Sequence, residues 1–173
     1  MKLRILLSSF VALASLTLFA QAEPLAVGAP APDFTAPAQD GTTVHLAALK
    51  GKPVVLYFYP KDETPGCTRE ACAFRDSHEV FTDAGAEVIG VSSDSASKHA
   101  GFADKYKLPF TLLSDQGGKV RKLYGVPTVL GLIPGRVTYV IDREGTVRQI
   151  FNSMTNISGH VNDALEMVKQ LQG

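Results

Sequence analysis

Val54-Val55-Leu56-Tyr57-Phe58-Tyr59 is an unbroken β-branched and aromatic run, and it narrows the possible folds more than any other stretch of the chain. A strand without polar alternation is buried on both faces, so its sheet must carry a layer above and a layer below. Pro60 ends it. From about Pro65 to Ala84 the pattern turns helical, with Ala73, Phe74, Val80 and Phe81 at helical spacings and Gly85 as a C-cap. Glu87 to Ser92 is then a second buried strand. Two such strands around one helix form a unit in which they run parallel with a right-handed crossover.

The remaining segments extend this plan. Thr42 to Leu46 reads as a short edge strand, and the lead from Pro24 to Pro37 is too broken by proline for a long helix. Ser95 to Lys107 reads as a serine-opened helix, Thr111 to Leu113 as a short strand and Gly118 to Tyr124 as a brief helix. Val137 to Asp142 and Thr146 to Phe151 flank the turn signal Asp142-Arg-Glu-Gly145, which predicts an antiparallel hairpin. From His160, behind Ser158, the residues Val161, Ala164, Leu165, Val168 and Leu171 form one apolar helical stripe. The expected fold is α/β: a mixed β-sheet with helices on both faces. With 173 residues, 45% hydrophobic and 20% charged, the chain suits one domain, here 23–173.

Residues 1–22 read as a targeting leader. Lys2 and Arg4 precede an apolar stretch, Ile5 to Ala20, which ends in the small-residue site Ala20-Gln21-Ala22. Its apolar core of about 16 residues is short for a span of roughly 20, which favours a cleavable signal peptide cut after Ala22. The expected location is exported: periplasmic or an equivalent extracytoplasmic compartment, with no membrane partner after cleavage. Lys plus Arg equals Asp plus Glu at 17 each, so losing Lys2 and Arg4 leaves 15 against 17. Such a balance predicts no nucleic-acid partner.

Only two cysteines are present, Cys67 and Cys72, too few for a disulfide-stapled scaffold. Cys67 follows Pro65-Gly66 directly after the first buried strand, where a helix N-terminus offers free N–H groups and a positive dipole end. A thiol placed there is favoured as the reactive thiolate. Thr64, three residues earlier, could donate to the sulfur or to a bound oxygen, or could simply cap the helix. In one regular helix the Cα atoms of Cys67 and Cys72 would lie about 8.6 Å apart, whereas a disulfide needs about 4.4–6.8 Å. Cysteine count alone suits a static structural bond. Closing so small a loop would stabilise the fold little and cost helix, which suits a bond that forms and breaks.

The segment Tyr57-Phe-Tyr-Pro60-Lys-Asp-Glu-Thr64-Pro-Gly-Cys67-Thr-Arg-Glu-Ala-Cys72-Ala-Phe-Arg-Asp76 closely resembles the active-site segment of the peroxiredoxins, in particular the peroxiredoxin Q, or bacterioferritin comigratory protein, subgroup. The pattern Pro-x-x-x-Thr-x-x-Cys is matched at Pro60, Thr64 and Cys67, and the subgroup's second cysteine at Cys72. Gly135-Arg136-Val-Thr-Tyr-Val-Ile-Asp142 resembles the segment carrying the family's arginine, which maps to Arg136. The resemblance implies a thioredoxin-like fold of AhpC/TSA type, with no metal or organic cofactor. It implies a thiol peroxidase that reduces hydrogen peroxide or organic hydroperoxides, with Cys67 peroxidatic and Cys72 resolving through an intramolecular disulfide. Arg136 would then hold the thiolate and the peroxide oxygens, Thr64 would orient them and Pro60 would wall the pocket. A thioredoxin-like dithiol protein would recycle a monomeric enzyme.

Other signals carry less. Gly125-Val-Pro127-Thr-Val-Leu130 looks like a cis-proline segment but is broken by Gly131 to Pro134, and reads as a loop beside the site. His78 and His99 read as solvated helix residues, and Glu63 as a variable loop position. Cys67, Cys72 and His78 would chelate copper poorly, and no base stands near Cys67 for hydrolysis.

Overall fold

The computed structural model describes residues 25–172. Its elements are β1 (Thr35–Pro37), β2 (Thr43–His45), β3 (Val54–Phe58), α1 (Pro65–Asp76), α2 (His78–Asp83), β4 (Glu87–Ser92), α3 (Ala96–Tyr106), β5 (Thr111–Ser114), α4 (Lys119–Leu123), β6 (Thr128–Val129), β7 (Ile133–Pro134), β8 (Val137–Ile141), β9 (Val147–Asn152) and α5 (Ile157–Gln170). The central sheet has the order β5-β4-β3-β8-β9. β3 lies parallel to β4 and β4 to β5, whereas β8 runs antiparallel to both β3 and β9. This is the mixed sheet expected from the two buried runs and the hairpin.

Every residue of β3 is buried, because alternate side chains enter two separate cores. Val55 and Tyr57 pack with Phe74 of α1, Phe81 of α2, Phe102 of α3 and Val161, Ala164 and Val168 of α5. Val54, Leu56 and Phe58 pack with Val120 and Tyr124 at α4 and with Phe34 and Ala36 beside the small β1–β2 hairpin. Helices therefore cover both faces of the sheet, with four on the first and α4 on the second.

Four details differ from the sequence reading. The helix expected over Pro65–Ala84 is interrupted at Ser77, whose φ of −101° and ψ of 1° separate α1 from α2. The last helix begins at Ile157 rather than behind Ser158, because Asn156 Oδ1 caps it by accepting the Gly159 N–H at 3.0 Å. Within the Pro-rich lead, Thr35–Pro37 forms an edge strand, a place where a missing N–H is tolerated. The loop expected near Pro127 is a two-stranded ribbon, β6–β7, closed by the Gly135 N–H donating to the Pro127 carbonyl at 2.7 Å. Its peptide bonds are all trans.

The topology sets the position of the cysteine turn. β3 delivers the chain to Pro60 at the carboxyl end of the parallel strands, where α1 opens. Val137 pairs with Phe58, so Arg136, one residue before β8, arrives at the same end. Residues 69 positions apart in sequence are thereby brought into contact.

Candidate active site

Thr64 is the N-cap of α1, with extended backbone and Pro65 in the first helical turn, the position at which a missing N–H costs nothing. Cys67 therefore lies in the opening turn and is buried, with 1% exposure. Its sulfur accepts a hydrogen bond from Arg136 Nη2 at 3.3 Å. Gly66 makes this approach possible: a Cβ there would lie 3.2 Å from Arg136 Nη2. Both cysteines are free thiols, Cys67 buried and Cys72 half-buried further along α1.

The other end of the guanidinium meets a residue absent from the sequence reading. Arg136 Nη1 donates to Glu70 Oε2 in a buried hydrogen bond, Glu70 being fully buried on α1. Glu70 follows Cys67 by three positions, the spacing that places two side chains on one helix face, and that was the available signal. Burial pushes the Glu70 carboxyl up from 4.5 to about 8, outweighing the attraction of Arg136. A neutral carboxyl leaves the guanidinium charge to the sulfur.

His160 lies behind Glu70, with Nδ1 at 3.7 Å from Oε1. The same Nδ1 is 2.8 Å from the Thr138 hydroxyl, and Nε2 is 2.8 Å from the Ser153 carbonyl. A carbonyl only accepts, so Nε2 carries the proton and Nδ1 accepts from Thr138. Burial pushes His160 down to about 4.

The structure brings Cys67 and Arg136 together, with Thr64 at the start of the same turn. The Thr64 hydroxyl donates to the Lys61 carbonyl at 3.1 Å instead of to the sulfur, so it closes its own loop and does not cap α1 through its side chain. Pro60 is half-buried and shares a surface cleft of about 390 Å³ with Leu132 and Pro134 of the β6–β7 ribbon. Two expectations are corrected. His99 is fully buried instead of solvated, because it shares a helix face with Phe102 and pairs with Asp62. Glu63 is anchored rather than incidental, accepting from Lys105 Nζ at 2.7 Å and from the Tyr106 hydroxyl at 3.1 Å. Among the described residues, no group of three or more His, Cys, Asp and Glu side chains converges as metal ligands would.

Residues 27–150 match the AhpC/TSA family. The chain belongs to that family. It is a peroxiredoxin, a thiol-dependent peroxidase, and its relatives agree. Chloroplastic peroxiredoxin Q of Triticum aestivum is 57% identical over 83% of this chain and 67% of its own length, and that of Sedum lineare 55% over 84% and 78%. Among solved structures, peroxidoxin BcpB from Mycobacterium tuberculosis is 37% identical with a TM-score of 0.80, over 86% of this chain and 99% of that one. Peroxiredoxin Q from Xanthomonas campestris is 32% identical with a TM-score of 0.75, over 81% and 92%.

The same relatives correct the expected location. The curated peroxiredoxin Q proteins are chloroplastic by name, an organellar setting rather than a periplasmic or other exported one. A basic head and an apolar stretch are features of composition that do not by themselves specify one membrane. The leader at 1–22 on which the expectation rested lies outside the described residues.

Proposed function

We propose that this peroxiredoxin reduces hydrogen peroxide and organic hydroperoxides at Cys67, resolves through Cys72, and is recycled by a thioredoxin-like dithiol protein. The observation that carries the reading is the Arg136 guanidinium at 3.3 Å from the Cys67 sulfur, in a turn where both are almost fully buried. The thiolate attacks one peroxide oxygen, the O–O bond breaks, and Cys67 becomes a sulfenic acid while the other oxygen leaves as hydroxide or alkoxide and takes up the proton the thiol had released, departing as water or alcohol. Arg136 has a second N–H fork edge to offer the oxygens as charge develops. Thr64 serves the same oxygens once its hydroxyl turns from Lys61, and Pro60 walls the entrance.

In the second step the Cys72 sulfur displaces hydroxide from the sulfenic acid, forming the disulfide and releasing water. Both cysteines lie within α1, an uninterrupted helix, so the first turns must unwind before the sulfurs meet. The reductant then returns two electrons and two protons by thiol–disulfide exchange. A solved Xanthomonas campestris relative is described by its alkyl peroxide reduction activity, which supports including organic hydroperoxides here. We extend the reading to a monomeric AhpC/TSA-type domain over 23–173.

One equivalent of hydrogen peroxide added to reduced protein should consume two thiols and yield the Cys67–Cys72 disulfide. Cys67→Ser should consume none, and Cys72→Ser should stop at a sulfenic acid that dimedone traps. Survival of both thiols in the wild type would refute the proposal.

A further inference from the structure

The side-chain ties that hold the loop from Pro60 to Thr64 avoid α1. Asp62 is almost fully buried; its Oδ1 accepts from the Tyr59 hydroxyl at 2.7 Å, and its Oδ2 is 2.8 Å from His99 Nδ1. Its backbone N–H donates to Asp94 Oδ2 at 2.8 Å. His99 belongs to α3, is fully buried, and places Nε2 at 3.2 Å from the Leu113 carbonyl of β5. That carbonyl can only accept, so Nε2 carries a proton. A second proton must then lie between Nδ1 and the Asp62 carboxylate, whichever atom holds it. The pair is a closed, charge-compensated contact in a dry site, and removing either partner strands the other.

Backbone strain points to the same loop. Glu63 has φ +63°, the left-handed region that a side chain with Cβ avoids. Such strain persists where surrounding contacts over-determine it, and it gathers at functional turns. Glu63 is tied to Lys105 and Tyr106, again on or at the end of α3. We propose that the buried Asp62–His99 pair is the positioning device of the cysteine turn, fixing the strained Pro60–Thr64 loop to α3 so that the N-terminal end of α1 holds its place while α1 itself unwinds and refolds.

The inference rests on Cys67 being the reacting sulfur, and it separates the two chemical steps. Attack on peroxide needs the turn in register, and a displacement of about 1 Å costs up to about a hundredfold in rate. Disulfide formation needs an open α1 and gains nothing from the loop's register. Asp62→Ala and His99→Ala should therefore lower the second-order rate of peroxide consumption at least about tenfold. Conversion of sulfenic acid to disulfide, followed by quenched mass spectrometry, should not slow. Asp62→Asn still accepts from Tyr59 and donates to a neutral His99 Nδ1, so it should stay within about threefold of wild type. A pair with a merely structural role would lower stability without separating the steps.

Alanine variants that keep wild-type peroxide rates, or that slow both steps alike, would overturn the proposal. If the alanine variants do not fold, His99→Gln and Asp62→Asn replace them. His99→Gln removes the ring nitrogen that shares a proton with the carboxylate, so a tenfold or greater deficit against Asp62→Asn supports the assignment, and equal rates overturn it. Cys67→Ser is the control: peroxide consumption that survives it would remove the underlying reading, a result none of the loop variants can mimic.

Discussion

Replacing Glu70 by Gln tests how a buried carboxyl governs the opening of α1. In the closed helix burial raises Glu70 from 4.5 to about 8. When α1 unwinds, the carboxyl reaches water and ionises near its ordinary value. The folded value lies above the open one, so the helical state is fully favoured below about pH 4.5 and loses ground as pH rises towards 8, where the open chain has released a proton that the closed one retains. Over that window the difference is about 5 kcal/mol, or close to tenfold in the opening equilibrium for each pH unit. Glu70→Gln keeps the shape and a hydrogen-bond acceptor for Arg136 but has no proton to release. Contributions from all other groups are common to both proteins, so their ratio isolates Glu70. Disulfide formation after one equivalent of hydrogen peroxide, followed by acid quench, alkylation and mass spectrometry, should show the ratio of wild type to variant rising by about a hundredfold between pH 5.5 and 7.5. A ratio that stays constant across that range would refute the reasoning.

Arg136→Lys removes the planar fork that reaches Glu70 and Cys67 at once, and peroxide consumption should fall by about 10²-fold; a loss below threefold would count against the assigned role. Gly66→Ala sets a Cβ 3.2 Å from Arg136 Nη2, and the guanidinium, held on its far side by Glu70, must retreat from the sulfur. The peroxide rate should drop about tenfold with little change in Tm. His160 is held at about 4 against an ordinary 6.5, so the stability it supports is present above 6.5 and is lost as pH falls towards 4. The urea midpoint of the wild type should therefore fall more steeply over that range than that of His160→Gln, and parallel curves would show the histidine to be uninvolved.

What could be read from the sequence was local chemistry. The β-branched run at Val54–Tyr59 declares a doubly buried strand without knowledge of its neighbours, and Pro65-Gly66-Cys67 declares a helix opening by its own stereochemistry. Arg136 came from the order of motifs, since nothing in its own vicinity brings it to a sulfur. Glu70, His99 and His160 escaped because their roles exist only through distant partners: Arg136 is 66 positions from Glu70, Asp62 37 from His99 and Thr138 22 from His160. For His99 a signal was present, since Phe102 follows by three positions and Ala103 by four, on the face that enters the core. The break at Ser77 had none, as neither proline nor glycine marks it.

The cysteine segment has to be exact for one reaction and yielding for the next, and its attachments divide along that line. Before Cys67, the chain is tied to α3 and Asp94 through Asp62 and Glu63. Beyond Cys72, Phe74 is fully buried and stacks on Tyr57 with ring centroids 4.5 Å apart, and Arg75 donates to the Tyr106 carbonyl at 2.8 Å. Between them, the side-chain ties of α1 to the rest of the protein are the small Cys67 and Ala71 and the hydrogen bonds that Arg136 gives to Cys67 and Glu70. Opening that stretch exposes little apolar area, because an alanine buries far less than the phenylalanine that follows it. Its main cost is the loss of the hydrogen bonds from Arg136, and the Glu70 carboxyl, which releases its proton on reaching water, offsets part of that cost. Unwinding is therefore confined to the turns that carry the two sulfurs, with a fixed loop on one side and a stacked aromatic on the other.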